Sequence, residues 1–227
     1  MYRLATPEPQ TPDSGPSRLL PFGQLPLFTV VIATCAVLFG VSAPLSSLLQ
    51  YDRLHIADGE WFRLLTGHIA HWNFDHLLWD VVMFAALGAF LERHNRRLLM
   101  ATVAVSGIAI SISLWYLEPG VLEYRGLSGL DSALFSAALT LTFVESLRAR
   151  HPAALAATAL LGSALLGKIA YETATGATLF VDSAAASFEP LPLVHAVGAV
   201  SGLLTAAAAY LPWRRKRCVL AAWSLPS

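Results

Sequence analysis

The stretch "PLPLVHAVGAVSGLLTAAAAYLPW", residues 190–213, contains no Asp, Glu, Lys or Arg. A membrane-spanning helix needs about 20 predominantly apolar residues, and this window supplies them. The sequence "GAVSG" within it sets Gly198 and Gly202 four residues apart. Such a small-xxx-small pattern lets membrane helices approach at backbone distance. His195 shares the face of both glycines, at spacings of three and seven. Directly after the window comes "RRKR", residues 214–217, which reads as an anchor at a membrane surface.

The rest of the chain follows suit. Of 227 residues, 56% are hydrophobic and 13% charged, against roughly 25% charged in soluble domains. Leu19–Tyr51 and Leu98–Leu117 are also free of charge. Three further apolar stretches carry polar residues near one end: Asp75, His76 and Asp80; Ser128 and Asp131; Lys168 and Glu172. The expectation is an all-α polytopic membrane protein of six helices. They lie near Leu25–Leu48, Phe74–Leu91, Leu98–Leu117, Gly126–Leu147, Pro152–Thr175 and Leu191–Leu211. Residues 1–20, rich in Pro, Ser and Thr, read as a disordered cytoplasmic tail. Residues 21–213 form the membrane domain and 214–227 a basic cytoplasmic tail. "VSA" at 41–43 resembles a signal cleavage site, but Pro44 follows it, so the segment is read as a retained first span.

Charge asymmetry orients the bundle. Assigning loops alternately puts eleven basic residues on the side of the two termini. The opposite side holds only Arg53, Arg63 and Arg125, with acidic residues that include Asp58, Glu60, Glu118, Glu123, Asp182 and Glu189. Cytoplasmic loops carry the Lys/Arg excess, so both termini are expected inside. The second, fourth and sixth helices then all start at the outer face. His71, His76 and Asp80, then Ser128 and Asp131, then His195 come to one depth. Ionisable groups in membrane segments are costly and by default point to function.

The chemistry available there is nucleophilic. Ser128 needs a base, and His195 is one; Gly126 and Gly129 flank the serine at a helix N-terminus, where backbone N–H groups favour negative charge. Helix packing is the competing account of "GLSG". His68, His71 and His76 with nearby aspartates suggest a metal, but no HExxH pattern is present and none is expected. Lys168 and Glu172, spaced i,i+4, read as a pair that neutralises itself. Asp131 reads first as a plain acidic residue at a helix start, with orienting His195 as the alternative.

Taken in order, these motifs resemble the rhomboid family of intramembrane serine proteases. The likeness covers Glu60 to Gly202: "GEWFRLLTGHIAHWNFDHLLWD" resembles the family's Trp-Arg loop and HxxxxHxxxN helix, "GAFLE" its GxxxE ending, "GLSG" the GxSG motif and "HAVGAVSG" the HxxGxxxG helix. The resemblance implies Ser128 as nucleophile, His195 as general base, and His76 with the Ser128 N–H as oxyanion stabilisers. Asp80 stands where most rhomboids have Asn; either burial keeps it protonated, or it orients His76 or pairs with Arg125. Ser132 stands where many have an aromatic residue. "YRGLSG" and "KIAYE" look like the rhombosortase subfamily. That subfamily implies a bacterial inner-membrane enzyme opening to the periplasm. Its substrates are secreted proteins with a C-terminal Gly-Gly motif and a membrane anchor, and cleavage involves transfer to water or to an amine. No cofactor and no nucleic acid are implied. The alternative is a catalytically silent rhomboid-like binder of membrane helices. A transport path is disfavoured, because the polar groups gather at one face.

Overall fold

The computed structural model describes residues 25–179 and 190–222; the expected tail at residues 1–20 lies outside them. Among the described residues, α1 (Leu27–Gly40) and α2 (Ala43–Leu49) meet at a 118° bend. The expected single span over Leu25–Leu48 is therefore broken. Ser42 is extended, and α2 opens with proline in its first turn; Pro44 lacks the N–H that would continue the helix, and its ring disfavours it. A surface segment follows: β1 (Tyr51–Asp52), α3 (Arg53–Ala57), α4 (Arg63–Thr66) and a 3-10 turn, Gly67–Ile69. Then come α5 (Phe74–Leu117), β2 (Glu123–Tyr124), α6 (Ser128–Ala149), α7 (Pro152–Thr175) and α8 (Pro192–Ala222).

At 44 residues, α5 would be about 66 Å long if straight, twice a bilayer core. It is interrupted at Asn95, whose backbone is non-helical (φ −157°, ψ 89°) and whose side chain accepts from Leu98 N, as an N-cap does. Asp80, near the start of α5, accepts from the N–H groups of Leu127 and Ser128. Leu114 and Trp115, near its end, accept from Arg53, whose own N–H donates to Leu122 O. Both ends of α5 thus lie at one end of the bundle, and the chain reverses at Asn95. The two expected helices Phe74–Leu91 and Leu98–Leu117 lie on either side of that reversal.

Among the described residues, four helices are long and apolar enough to cross a membrane: α5, α6, α7 and the Pro192–Tyr210 part of α8; the bent α1–α2 pair makes a fifth if taken as one span. The helix α8 continues to Ala222, past Trp213 where the sequence reading ends the membrane domain. The molecule is a multi-pass membrane bundle. Its exposed surface carries Val30, Val31, Leu38, Leu160, Leu166, Leu203 and Leu204, an apolar belt that a soluble protein would not leave open.

The central helix is α6, packed on α5, α7 and α8. A Cβ at Gly198 would overlap the Gly129 carbonyl oxygen, and one at Gly202 the Ala133 carbonyl oxygen. Helices α6 and α8 therefore touch backbone to backbone. Hydroxyl pairs stitch α8 to the second half of α5: Ser201 donates to Ser106 at 2.8 Å, and Thr102 and Thr205 meet at 3.0 Å. Glu92 explains the "GAFLE" motif. Its buried carboxylate accepts from Phe28 N, Thr29 N and Thr29 Oγ1, capping the first turn of α1, while Gly88 leaves room for Thr29.

Candidate active site

The surface segment holds the polypeptide that leads into α6. Tyr51 pairs with Tyr124 and Asp52 with Glu123 in a two-residue antiparallel ladder. Gly126 N donates to Gly67 O at 3.2 Å, and Tyr124 Oη to Gly126 O at 2.8 Å. Gly126 has φ +132°, and a Cβ there would stand 2.8 Å from His76 Nε2; only glycine fits. Arg63, 5% exposed, donates to the carbonyls of Ser47 and Gln50 at the end of α2 and to Glu60. The "EWFR" stretch is thus a clamp on the surface segment.

Within this frame Ser128 is the first residue of α6 and His195 lies in the first turn of α8. Ser128 Oγ stands 3.0 Å from His195 Nε2. The glycine contact described above fixes this distance: Gly129 follows Ser128, and Gly198 lies three residues after His195. His195 is 7% exposed. Both side chains open onto a cleft of about 1040 Å³. Its walls combine Trp72, Trp79, Met83, Phe135 and Leu165 with Asp80, Asp131, Lys168 and Glu172.

The remaining expected residues divide. Asp80 does not pair with Arg125. Its Oδ2 accepts from Leu127 N at 2.8 Å and Ser128 N at 3.1 Å, and lies 3.3 Å from Nε2 of both His71 and His76. The Ser128 N–H, expected to be free for an oxyanion, is therefore held by a carboxylate. Arg125 turns elsewhere, to Gln50 Oε1 at 2.6 Å and Ser47 Oγ at 3.2 Å, with its guanidinium 4.3 Å from the Trp72 ring. Gly126 contributes space rather than a donor, and at Gly129 the missing side chain makes room for a neighbouring helix. The Gly126 N–H is taken by Gly67, and Gly129 faces Val194 and Ile110.

Asp131 does not orient His195. The carboxylate on His195 Nδ1 belongs to Glu172, at 2.7 Å, while Asp131 Oδ1 is buried without a hydrogen-bond partner among the described residues. Glu172 Oε1 in turn meets Lys168 Nζ at 2.7 Å. The sequence reading treats Lys168 and Glu172 as self-contained and so misses this contact. The signal was the cost of placing two ions in an apolar span, which a surface pair would not incur. Close by, burial holds the His68 imidazole down at about 4, and its Nε2–H donates to Gly107 O at 3.1 Å.

This geometry can run acyl chemistry. A hydroxyl within proton-transfer distance of an imidazole, at a helix N-terminus beside an apolar cleft, is what serine nucleophiles require. Comparison with known proteins bears on the family of the domain. A stretch of 118 residues is 31% identical to the "Putative rhomboid protease YdcA" of Bacillus subtilis (strain 168), covering 48% of this chain and 59% of that protein. The Rhomboid domain family model matches residues 58–208. That match takes in the surface clamp, α6, α8 as far as residue 208 and every residue of the cleft discussed above, and on it the chain belongs to the rhomboid family.

Proposed function

We propose that this rhomboid is an intramembrane serine endopeptidase in which Ser128 and His195 form the reacting pair. The observation that carries the reading is the 3.0 Å contact between Ser128 Oγ and His195 Nε2. As Oγ attacks the scissile carbonyl carbon, its proton passes to Nε2. The C–N bond then breaks and the leaving amine takes that proton, leaving an acyl ester on Ser128. Water or an amine, deprotonated by His195, resolves the ester and regenerates the hydroxyl. The oxyanion would take the N–H of Ser128, with His76 beside it, once Asp80 yields them.

The likeness of "YRGLSG" and "KIAYE" to rhombosortases supports a narrower reading. On it, the substrates are secreted proteins with a C-terminal Gly-Gly motif and membrane anchor, the location is a bacterial inner membrane, and the cleft opens to the periplasm. The excess of basic residues on the termini's side supports that orientation. The test uses a fluorophosphonate probe on the full chain in detergent. Wild type should label at Ser128, and Ser128→Ala and His195→Ala should not. Absence of labelling in folded wild type would refute the reading and favour a silent binder of membrane helices.

A further inference from the structure

We infer that Glu172, held by Lys168, is a positioning residue that selects the working tautomer of His195. The inference rests on the reading of Ser128 and His195 above and adds a third and fourth group to it.

Helix α7 has little inward business. Among its side chains only Thr158 and Glu172 are buried, whereas Leu160, Leu161 and Leu166 stay exposed on the apolar surface. Yet Glu172 is 1% exposed, and each of its oxygens has its own partner: Oε1 meets Lys168 Nζ and Oε2 meets His195 Nδ1, both at 2.7 Å. An ion pair one helical turn apart is complete without a third member. The second oxygen is instead spent on the imidazole, on the ring atom opposite the one that faces Ser128.

The donors and acceptors decide the tautomer. For His195 to take the Ser128 proton, Nε2 must present its lone pair and Nδ1 must carry the hydrogen. An ionised carboxylate only accepts, so Glu172 Oε2 demands a hydrogen on Nδ1 and thereby leaves Nε2 free. Lys168 Nζ, 3.2 Å from the same Nδ1, only donates. Acting alone it would call for a lone pair on Nδ1 and put the hydrogen on Nε2, the form that cannot serve as a base. Glu172 thus overrides a cation at hydrogen-bond distance, and it occupies that cation with its other oxygen.

This arrangement makes Glu172→Gln informative. Lys168 can bind only the amide oxygen, so the amide NH2 is turned to Nδ1 and fixes the wrong tautomer. In the double variant Glu172→Gln/Lys168→Met the amide is free to turn, and its oxygen can again accept from Nδ1–H. The experiment measures fluorophosphonate labelling of the full chain in detergent as kinact and KI separately, with thermal unfolding of each variant alongside. Glu172→Gln should lower kinact about 10³–10⁴-fold, the scale of a wrong-tautomer triad, with KI within about threefold of wild type. The double variant should recover at least about tenfold of kinact, since freeing the amide lets the working tautomer return. Labelling of Glu172→Gln within threefold of a reactive wild type overturns the inference, as does a double variant no faster than the single one. If wild type itself fails to label, the reading of Ser128 and His195 fails, and this inference falls with it.

Discussion

Gly198→Ala tests whether backbone contact between α6 and α8 sets the reacting distance. The added Cβ would overlap the Gly129 carbonyl oxygen and stand 3.0 Å from Gly129 C and 3.4 Å from Ala133 N. Carbon contacts settle near 3.5–4.0 Å, so α8 must withdraw by about 1 Å. Gly129 adjoins Ser128 and Gly198 lies one turn from His195, so the same withdrawal acts on the 3.0 Å contact between Ser128 Oγ and His195 Nε2. Moved to about 4 Å, it leaves hydrogen-bond range. Overpacking of this kind costs about 1–3 kcal/mol of stability, whereas 1 Å of misplacement costs about 100-fold in rate. The expected result is a protein that still folds, with a somewhat lower melting temperature, but whose second-order labelling by a fluorophosphonate falls about 100-fold. Gly162→Ala is the control, because its Cβ would meet only Leu139, at 3.9 Å. A Gly198→Ala protein that labels within threefold of wild type would refute the claim that this packing positions the pair.

Three further outcomes are expected. Asp80→Asn removes a carboxylate from the N–H groups of Leu127 and Ser128. Two like charges 4 Å apart at an effective dielectric of 20 repel by about 4 kcal/mol as an upper bound, so labelling at neutral pH should rise about tenfold or more. An unchanged rate would mean that the carboxylate does not compete with the oxyanion. Glu92→Gln weakens three bonds to the start of α1. It should lower stability by about 3 kcal/mol, read as a lower melting temperature in detergent, with the labelling rate of folded protein unchanged. For His68, burial holds the folded imidazole down at about 4 from an ordinary 6.5. The unfolded chain therefore takes a proton between pH 6.5 and 4 that the folded chain refuses. This share of stability is full above pH 6.5 and declines by about 3 kcal/mol as pH falls to 4; denaturant titrations should show that slope in wild type and not in His68→Gln.

The spans were legible because hydrocarbon forces backbone groups to pair within helices, so uncharged windows such as Leu98–Leu117 carry their own meaning. Ser128, His195 and His76 stood out for the same reason, as polar groups where apolar ones are cheap. The bend after Gly40 was signalled only by Pro44, one residue in an otherwise uninterrupted window. Partner choice was harder to read. Arg125 lies three residues from Ser128, yet it binds Gln50, 75 positions away, because the Tyr51–Tyr124 ladder brings those segments together. Glu172 was hidden by its neighbour: an i,i+4 lysine accounts for its charge, and the cost of carrying both ions within an apolar span was the one remaining hint of a partner on another helix.

The carboxylate of Asp80 gives the resting molecule an uncommon property. Bare amide hydrogens in greasy surroundings would each carry a penalty of about 1–3 kcal/mol; here they are already engaged. A bystander helix offering a neutral carbonyl is a poorer acceptor than the anion it would have to evict. Only a carbonyl on its way to bearing full negative charge can match that rival. On the proposed chemistry, then, a membrane crowded with peptide groups does not clog the serine, and the incumbent anion acts as a threshold that ordinary lodgers fail to cross.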